Sequence, residues 1–449
     1  MTREESLGKE PVLPLMMKMG LPTLAAQVIN LLYNIVDRSY IGHISGTGAV
    51  ALTGVGLALP VIIIITAFAS IVGGGGAPLA AIALGSGNRE RASRFMGNGF
   101  VLLILMTAVL SAVFFPLKDT FLYLIGASSA TFPYANQYIS IYLCGTLFVQ
   151  ISVGLNTFIT AQGNAKTAML SVVIGAVLNI VLDPLFIFVF GMGVRGAALA
   201  TVISQAVSAV WVLRFLFSDR ATLKLEKKYM KLDKNSIVSM ISLGVSPFVM
   251  QATEALISIV MNSGLQKYGG DLYVGTLTVM QAVMQFATVP ANGFSQGVQP
   301  VISYNYGAGQ TERVRKTVRY LVILLESSSL LIVSVALICP SLYACVFTND
   351  AALTSSICRT MPLFMLGMAL FGIQMALQAS FVALGQAKLS IIIALLRKVG
   401  LLVPLALILP AVTGKAESIY IAEPISDCIS VTVCAILFIA NFNKILKKD

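Results

Sequence analysis

Histidine occurs once in this 449-residue chain, and charged side chains make up only 11% of it. A single histidine, His43, rules out any two-histidine metal motif, and its setting, IGHISGTG, reads as a solvated loop. No glycine-rich loop ends in Lys-Ser/Thr after a strand pattern, so clusters such as Gly85-Ser86-Gly87 are turn signals. The six cysteines, at 144, 339, 345, 358, 428 and 434, form no C-x-x-C pair. Most lie in or beside apolar runs, where a thiol behaves as a small hydrophobe; only Cys339, Cys345 and Cys358, which flank one connection, are placed to bridge. No nucleophile–base set stands out, so the chain is not expected to be an enzyme, to have catalytic residues, or to hold a cofactor or structural metal.

What is present is apolar sequence. Hydrophobic residues reach 57%, with a mean hydropathy of +0.88, whereas soluble domains carry about a quarter of their residues as charged ones. A membrane span takes about 20 apolar residues, which leaves room for roughly 12. The start, MTREESLGKEPVLP, mixes two basic residues with three glutamates and runs into a full-length span, so no removable signal peptide is expected. Spans are predicted near 14–42, 50–84, 95–116, 132–162, 167–190 and 194–218. After the polar linker 219–235, six more are predicted near 236–266, 272–306, 317–347, 355–384, 388–411 and 418–441. The net charge of +11 is distributed by side and not in a nucleic-acid-binding patch. With both termini cytoplasmic, only Arg38, Lys118, Arg195, Lys267, Arg359, Arg397, Lys398 and Lys415 fall in outer loops or at span ends, which leaves 22 of the 30 Lys and Arg inside. A multi-pass protein of the cell membrane is expected.

The two halves repeat. One offset of 222 residues aligns Pro78 with Pro300, Gly85 and Gly87 with Gly307 and Gly309, Glu90-Arg91 with Glu312-Arg313, and the loop AQGNAK (161–166) with ALGQAK (383–388). The same offset aligns Ala200, Ile203 and Ser204 with Ala422, Ile425 and Ser426. Each unit has an even number of spans, so the copies sit the same way up, related by an axis along the membrane normal. The expected fold is an all-α polytopic membrane protein of 12 transmembrane helices in two six-helix bundles, 1–218 and 236–449, with substrate near the midplane and access alternating as the bundles rock. Gly73 to Gly76 with Pro78, and Gly293, Gly297 and Pro300 in the copy, are hinge or close-packing sites.

The polar residues inside the spans carry the chemistry. Asn30, Asn34 and Asp37 recur at i, i+4 and i+7 on one face of the first span. An aspartate at a helix centre costs roughly 2.5 to 3.5 kcal/mol, so it is expected to face a cavity or a partner. Asn179 and Asp183 share a face of the fifth span just before Pro184, and Thr201 and Gln205 share one in the sixth. Together these form an oxygen-donor set suited to a proton or a hard cation such as Na⁺, held transiently. The competing reading has Asp183 capping the break at Pro184 and Asp37 paired with an arginine; Arg38 itself points away and snorkels outward. In the second half the offset puts Leu401 and Leu405 opposite Asn179 and Asp183, and about Met261 opposite Asp37. Its own acids are Glu254, on a face with Gln251 and Ser258, and Glu423 with Asp427, for which structural hydrogen bonding competes with a coupling role. Glu326 has no evident partner. Asn30, Asn34, Asn156, Glu254, Met280, Gln281 and Met284 are taken as cavity-lining candidates, with plain helix packing the alternative for the Met280/Met284 pair.

VDRSYIG at the end of the first span, NxxxDP in the fifth, GAALAT in the sixth, the paired QG-N-AK loop and PISD in the twelfth jointly resemble the MATE family of multidrug and toxic compound extrusion transporters, in its MepA-like and DinF-like bacterial branch. The resemblance covers nearly the whole chain. It implies a two-lobed, V-shaped exporter of cationic and amphipathic drugs driven by H⁺ or Na⁺, with the cation site on Asp37, Asn179, Asp183 and Thr201 and with Asn30 on the drug cavity. A NorM-type second site would need acids in the seventh and tenth spans, and only Glu254 answers. The expected partners are the lipid bilayer and small cationic or amphipathic drugs, and the protein is expected to be monomeric. A lipid-linked saccharide flippase of the same superfamily is the alternative, but it would line the cleft with Arg and Lys.

Overall fold

In hydrocarbon every backbone N–H and C=O needs a partner within the protein, and a helix supplies them within one segment. The computed structural model describes residues 3–347 and 351–447, and among them the chain forms helices and no strand. α1 (Val12–Gly42), α2 (Gly48–Gly85) and α3 (Arg89–Ile125) are long and unbroken. α4 is a bent pair, Phe132–Cys144 and Thr146–Ala161, meeting at 61°. α5 (Ala165–Val189) closes on a π-helical turn, Leu185–Val189, and α6 is Val194–Leu216. The second set comprises α7 (Lys234–Gly269), α8 (Asp271–Gly307), α9 (Thr311–Ile338), α10 (Ala351–Ala383), α11 (Ala387–Thr413) and α12 (Glu417–Leu446). Counting the bent pair as one, twelve spans are long and apolar enough to cross a membrane among the described residues.

Caps and prolines explain where these helices depart from the predicted spans. α3 starts six residues early because Asn88 caps it, its Oδ1 accepting from the Arg91 N–H at 2.9 Å, and it runs on to Gly126, whose φ of +107° ends it in a left-handed turn. The run predicted over 317–347 divides at Pro340. Cys339, the residue before it, leaves the helical region (φ −130°, ψ 61°), and a separate short helix, Pro340–Phe347, follows. The connection at 348–350 lies outside the described residues, and among the cysteines flanking it, Cys339, Cys345 and Cys358 are all free thiols.

The repeat is visible in the backbone. Gly87 and Gly309 hold φ of +76° and +69°, and Gly163 and Gly385 hold +82° and +71°, each pair 222 residues apart. In the second pair of turns the Asn164 N–H donates to the Ile159 carbonyl, and the Gln386 N–H to the Phe381 carbonyl. The same symmetry governs how the two sets meet. A Cβ on Gly85 would fall 1.9 Å from the Tyr304 carbonyl oxygen, and a Cβ on Gly307 would fall 1.9 Å from that of Ile82, which is the same contact read from both copies. Gly75 likewise meets the Met240 carbonyl and Gly297 the Met19 carbonyl. Lipid gives helices no hydrophobic reason to associate, so bare glycine, which brings backbones into contact, carries this joint. The starts of α1 and α7 cross over: Val12 and Met16 pack in the core of the second set, and Met240 packs in a core of the first.

All these contacts lie on the half of the spans nearest the chain termini. The amino-terminal helix Arg3–Lys9 is wedged there, with Leu7 fully buried. The Leu7 carbonyl accepts from Asn305 Nδ2 (2.9 Å) and the Arg313 guanidinium (3.2 Å), while Glu4 pairs with Arg89 at 3.0 Å. This helix therefore ties α3 to the α8–α9 corner. The linker is fastened too, because buried Asn98 bonds the backbone of Tyr229, Lys231 and Asp233. Toward the opposite ends, Leu32 and Ile35 on α1 and Ile259 and Phe286 on α7 and α8 are exposed.

Gly75→Val and Gly307→Val each place new carbons inside a backbone and should cost about 1–3 kcal/mol or more. Gly56→Val, on the same helix as Gly75 but facing open space, should stay within about 0.5 kcal/mol. Thermal unfolding of the purified variants in detergent separates the two outcomes.

Candidate functional site

α1 lies along α5, and this contact sets Asp37 beside Asp183. Asp37, Asn179, Asp183 and Thr201 are all buried, Asp183 completely. The one-turn spacing of Asn179 and Asp183 lets the amide reach the carboxylate: Asn179 Nδ2 donates to Asp183 Oδ1 at 3.2 Å and toward Thr201 Oγ1 at 3.5 Å. The Thr201 hydroxyl hydrogen is spent on the Ala197 carbonyl at 3.0 Å, so its lone pairs face the cluster. Three oxygens then have no donor: Asp37 Oδ1, Asp183 Oδ2 and Asn179 Oδ1. Neither carboxylate has an ion-pair partner among the described residues, and Arg38 turns outward and is exposed. Buried carboxylates without a base attract a positive charge, and an all-oxygen shell suits a proton or a hard cation.

A ring of phenols, which the residue spacing alone did not single out, completes this site. Tyr33, one turn before Asp37, lies near both carboxylates; Tyr138 lies against Thr201, and Tyr142 stacks on Tyr138 with ring centroids 6.4 Å apart. The i, i+4 relation of Tyr33 to Asp37 was a readable signal. The crossing of α4, which brings in the other two, was not.

The cavity candidates divide. Asn30 and Asn34 are half-buried on the Asp37 face, with Asn34 Nδ2 bonded to the Asn30 carbonyl at 2.7 Å. Asn156 is committed inside the first set, donating to the Ala168 carbonyl and accepting from the Ser171 hydroxyl. Gln281 and Met284 are half-buried, and Met284 packs on the second core. Met280 is not on the cleft: it is fully buried in that core, with the Thr360 hydroxyl 3.6 Å from its sulfur. A methionine stripe at helical spacing fits a core as well as a cavity, and here the core side has it.

The acids of the second set have bases. Arg397 and Lys398, counted by side with the outer loops and span ends, are buried in the middle of α11, 6% and 3% exposed. Arg397 Nε donates to Asp427 Oδ1 at 2.7 Å, its guanidinium lies 3.6 Å from Glu423, and it stacks 5.3 Å over the Phe371 ring. Lys398 Nζ donates to Glu254 Oε1 at 2.7 Å. Their place inside the predicted span 388–411 was the signal. Glu326 also gains a partner: its carboxylate accepts from the Ile373 N–H at 3.0 Å, a donor freed where α10 breaks at Gly367–Leu370.

Two pseudo-symmetric sets of six membrane helices, joined at one end and bearing a buried acid site, define a membrane transporter of two bundles, not an enzyme. The MatE family model matches residues 22–185 and 247–408, and the chain belongs to that family. It is similar to the multidrug export protein MepA of Staphylococcus haemolyticus, 24% identical over 425 residues that cover 94% of this chain and 91% of that protein. MepA of Staphylococcus aureus is 24% identical over 419 residues, 92% of each. Among solved structures, an outward-facing multidrug-resistance MATE transporter of the MOP superfamily superposes with a TM-score of 0.91 at 23% identity, covering 100% of this chain and 99% of that one. A MOP-superfamily transporter from Pyrococcus furiosus, described as having a binding pocket of reverse polarity, matches with the same score, identity and coverage. At such identities the likeness speaks for the fold.

Removing one member of a buried ion cluster strands the others, so Arg397→Met should destabilise the protein by about 3–5 kcal/mol. Arg397→Lys should recover only part of this, because an ammonium cannot make the two-carboxylate fork over Phe371. Unfolding midpoints in detergent, compared across the three proteins, provide the check.

Proposed function

We propose that this protein is a cation-coupled multidrug efflux antiporter, exporting cationic and amphipathic compounds by alternating access in exchange for H⁺ or Na⁺. The observation that carries the reading is the Asp37–Asp183 pair: two buried carboxylates with no base, each with an oxygen that lacks a donor, beside the equally donorless Asn179 Oδ1. Asp37, Asn179, Asp183 and Thr201 would hold the coupling ion, the carboxylates supplying charge and the amide and hydroxyl supplying neutral oxygens. Loading the site removes the repulsion between the two acids. It drives a conformational switch only to the extent that the ion binds one state better than the other. Rocking of the bundles would turn on the glycine joint, where small residues bring the two backbones into contact.

The relatives' name, multidrug export protein, supports the substrate class. The charge distribution supports an orientation with both termini cytoplasmic: Arg89, Arg91 and Arg94, Lys224 to Lys231, and Arg313 with Arg315 cluster at the end that carries the termini. We take the working unit to be a monomer in the cell membrane. The flippase alternative needs cations facing the cleft, and the mid-span cations Arg397 and Lys398 are buried and matched with acids.

In proteoliposomes, ethidium efflux should be driven by a pH gradient or by a Na⁺ gradient imposed alone, and the ineffective gradient identifies the ion that is not coupled. Asp37→Asn and Asp183→Asn should each reduce driven efflux to the level of empty vesicles while protein remains in the membrane. Normal efflux by both variants would overturn the proposal.

A further inference from the structure

The second bundle holds five charged groups in one buried cluster: Glu254, Glu423 and Asp427 against Arg397 and Lys398. Three acids face two bases, so one negative charge is in surplus. Glu254 is the member at the surface. Its side chain is 55% exposed while that of Lys398, hydrogen-bonded to it, is 4% exposed. Helical phase turns that exposed side toward the first bundle. Pro247, Gln251, Glu254 and Ser258 form one stripe on α7, at i, i+4, i+7 and i+11, and Pro247 sits against Gly74 of the first bundle. Farther along α7, Gln251 and Glu254 on the same stripe are exposed.

Behind the pair lie two further carboxylates, Glu423 and Asp427. Arg397 is drawn onto Asp427 Oδ1, and Asp427 Oδ2 has no donor. Glu423 lies 3.6 Å from Arg397 and within the field of Lys398. The π-helical turn Leu396–Leu402 matters here, because its wider winding lets two consecutive residues, Arg397 and Lys398, both turn into the bundle. Lys398 thus stands between a cleft-facing carboxylate and a buried acid pair short of one base.

We infer that Glu254 and Lys398 form a cation-exchange subsite: a monovalent organic cation takes the Glu254 carboxylate from the cleft, and the released Lys398 ammonium is taken up by Glu423 and Asp427. The charge count sets the ligand's charge. With all five groups ionised the cluster carries −1, and one bound positive charge brings it to zero, so no uncompensated charge is left in a low-dielectric interior. A dication would leave it at +1. Lys398 is then a specificity-determining residue, an internal competitor that any cation must displace. This inference rests on the reading that the cleft accepts organic cations, and it adds a second-bundle subsite with its own competitor.

Equilibrium ethidium binding to the full-length protein in detergent, read by fluorescence anisotropy, tests it. Lys398→Met removes the competitor and should tighten ethidium by at least about fivefold, the lower range of coupling between linked sites. Lys398→Arg keeps the competitor and should stay within about twofold of wild type, since it retains the charge. Glu254→Gln removes the acceptor and should weaken ethidium by at least about fivefold; should Lys398→Met not fold, this variant decides. Saturable wild-type binding with unchanged affinity in Glu254→Gln, or in a folded Lys398→Met, overturns the subsite and leaves the antiport reading standing. No saturable ethidium binding by any form overturns both.

Discussion

A charge in hydrocarbon must be matched, and the structure meets this requirement in two different ways in two nearly duplicated halves. In the first, Asp37 and Asp183 stand together with amide, hydroxyl and phenol groups but no base. In the second, the acids come with Arg397 and Lys398 built in. The cost of leaving an ion unpaired in such a place is several kcal/mol. In the proposed reading the first half takes its positive charge from outside, while the second carries two bases for its three acids. A site that depends on an exogenous cation is sensitive to ion gradients in a way that a self-neutralised one is not.

The glycine joint is the mechanical counterpart. Gly85 on Tyr304 and Gly307 on Ile82 are one contact made twice across the pseudo-two-fold axis, and Gly75 and Gly297 repeat the pattern one layer farther in. At these glycines backbone meets backbone, while Val12, Met16 and Met240 reach across into the opposite cores. The crossing of α1 and α7 puts the acid-bearing helix of each half into the other half's core at its start. α1 carries Asp37 and α7 carries Glu254, so each acid sits on the helix that links the two bundles. A change of charge at either one acts on an element that both bundles hold.

The fold was legible because its determinants are local or repeated. Span length and hydropathy follow from the bilayer, and the 222-residue offset from duplication; the aligned glycines recur with the same left-handed turns. The grouping of Asp37 with Asn179, Asp183 and Thr201 could be anticipated because polar oxygens on apolar helices have few places to go. Depth was less legible. Counting Lys and Arg by side treats a chain position as a loop property, so Arg397 and Lys398 were assigned by neighbourhood although they lie ten residues inside α11. Met280 failed for a related reason: helical spacing fixes a face, but which face is core depends on the neighbours of α8. Glu326 and the Tyr138–Tyr142 pair depend on breaks in α10 and α4, and those breaks are tertiary facts.

The asymmetry bears on what duplication has been used for. Offset alignment sets Leu401 and Leu405 against Asn179 and Asp183, so the second half has no copy of the oxygen cluster. Its charged residues lie elsewhere on the same helices: Arg397 and Lys398 stand one turn before Leu401 on α11, at a π-helical turn without an aligned equivalent in α5, whose own π turn follows Asp183. One inserted widening of the helix is enough to bring consecutive cations inward. Once they are inside, Glu254 has Lys398 as a resident partner while Glu423 and Asp427 share Arg397, and a carboxylate with a resident partner of its own binds a foreign cation by exchange. The two halves thus differ in what their acids face: those of the first have no resident base, and those of the second share two.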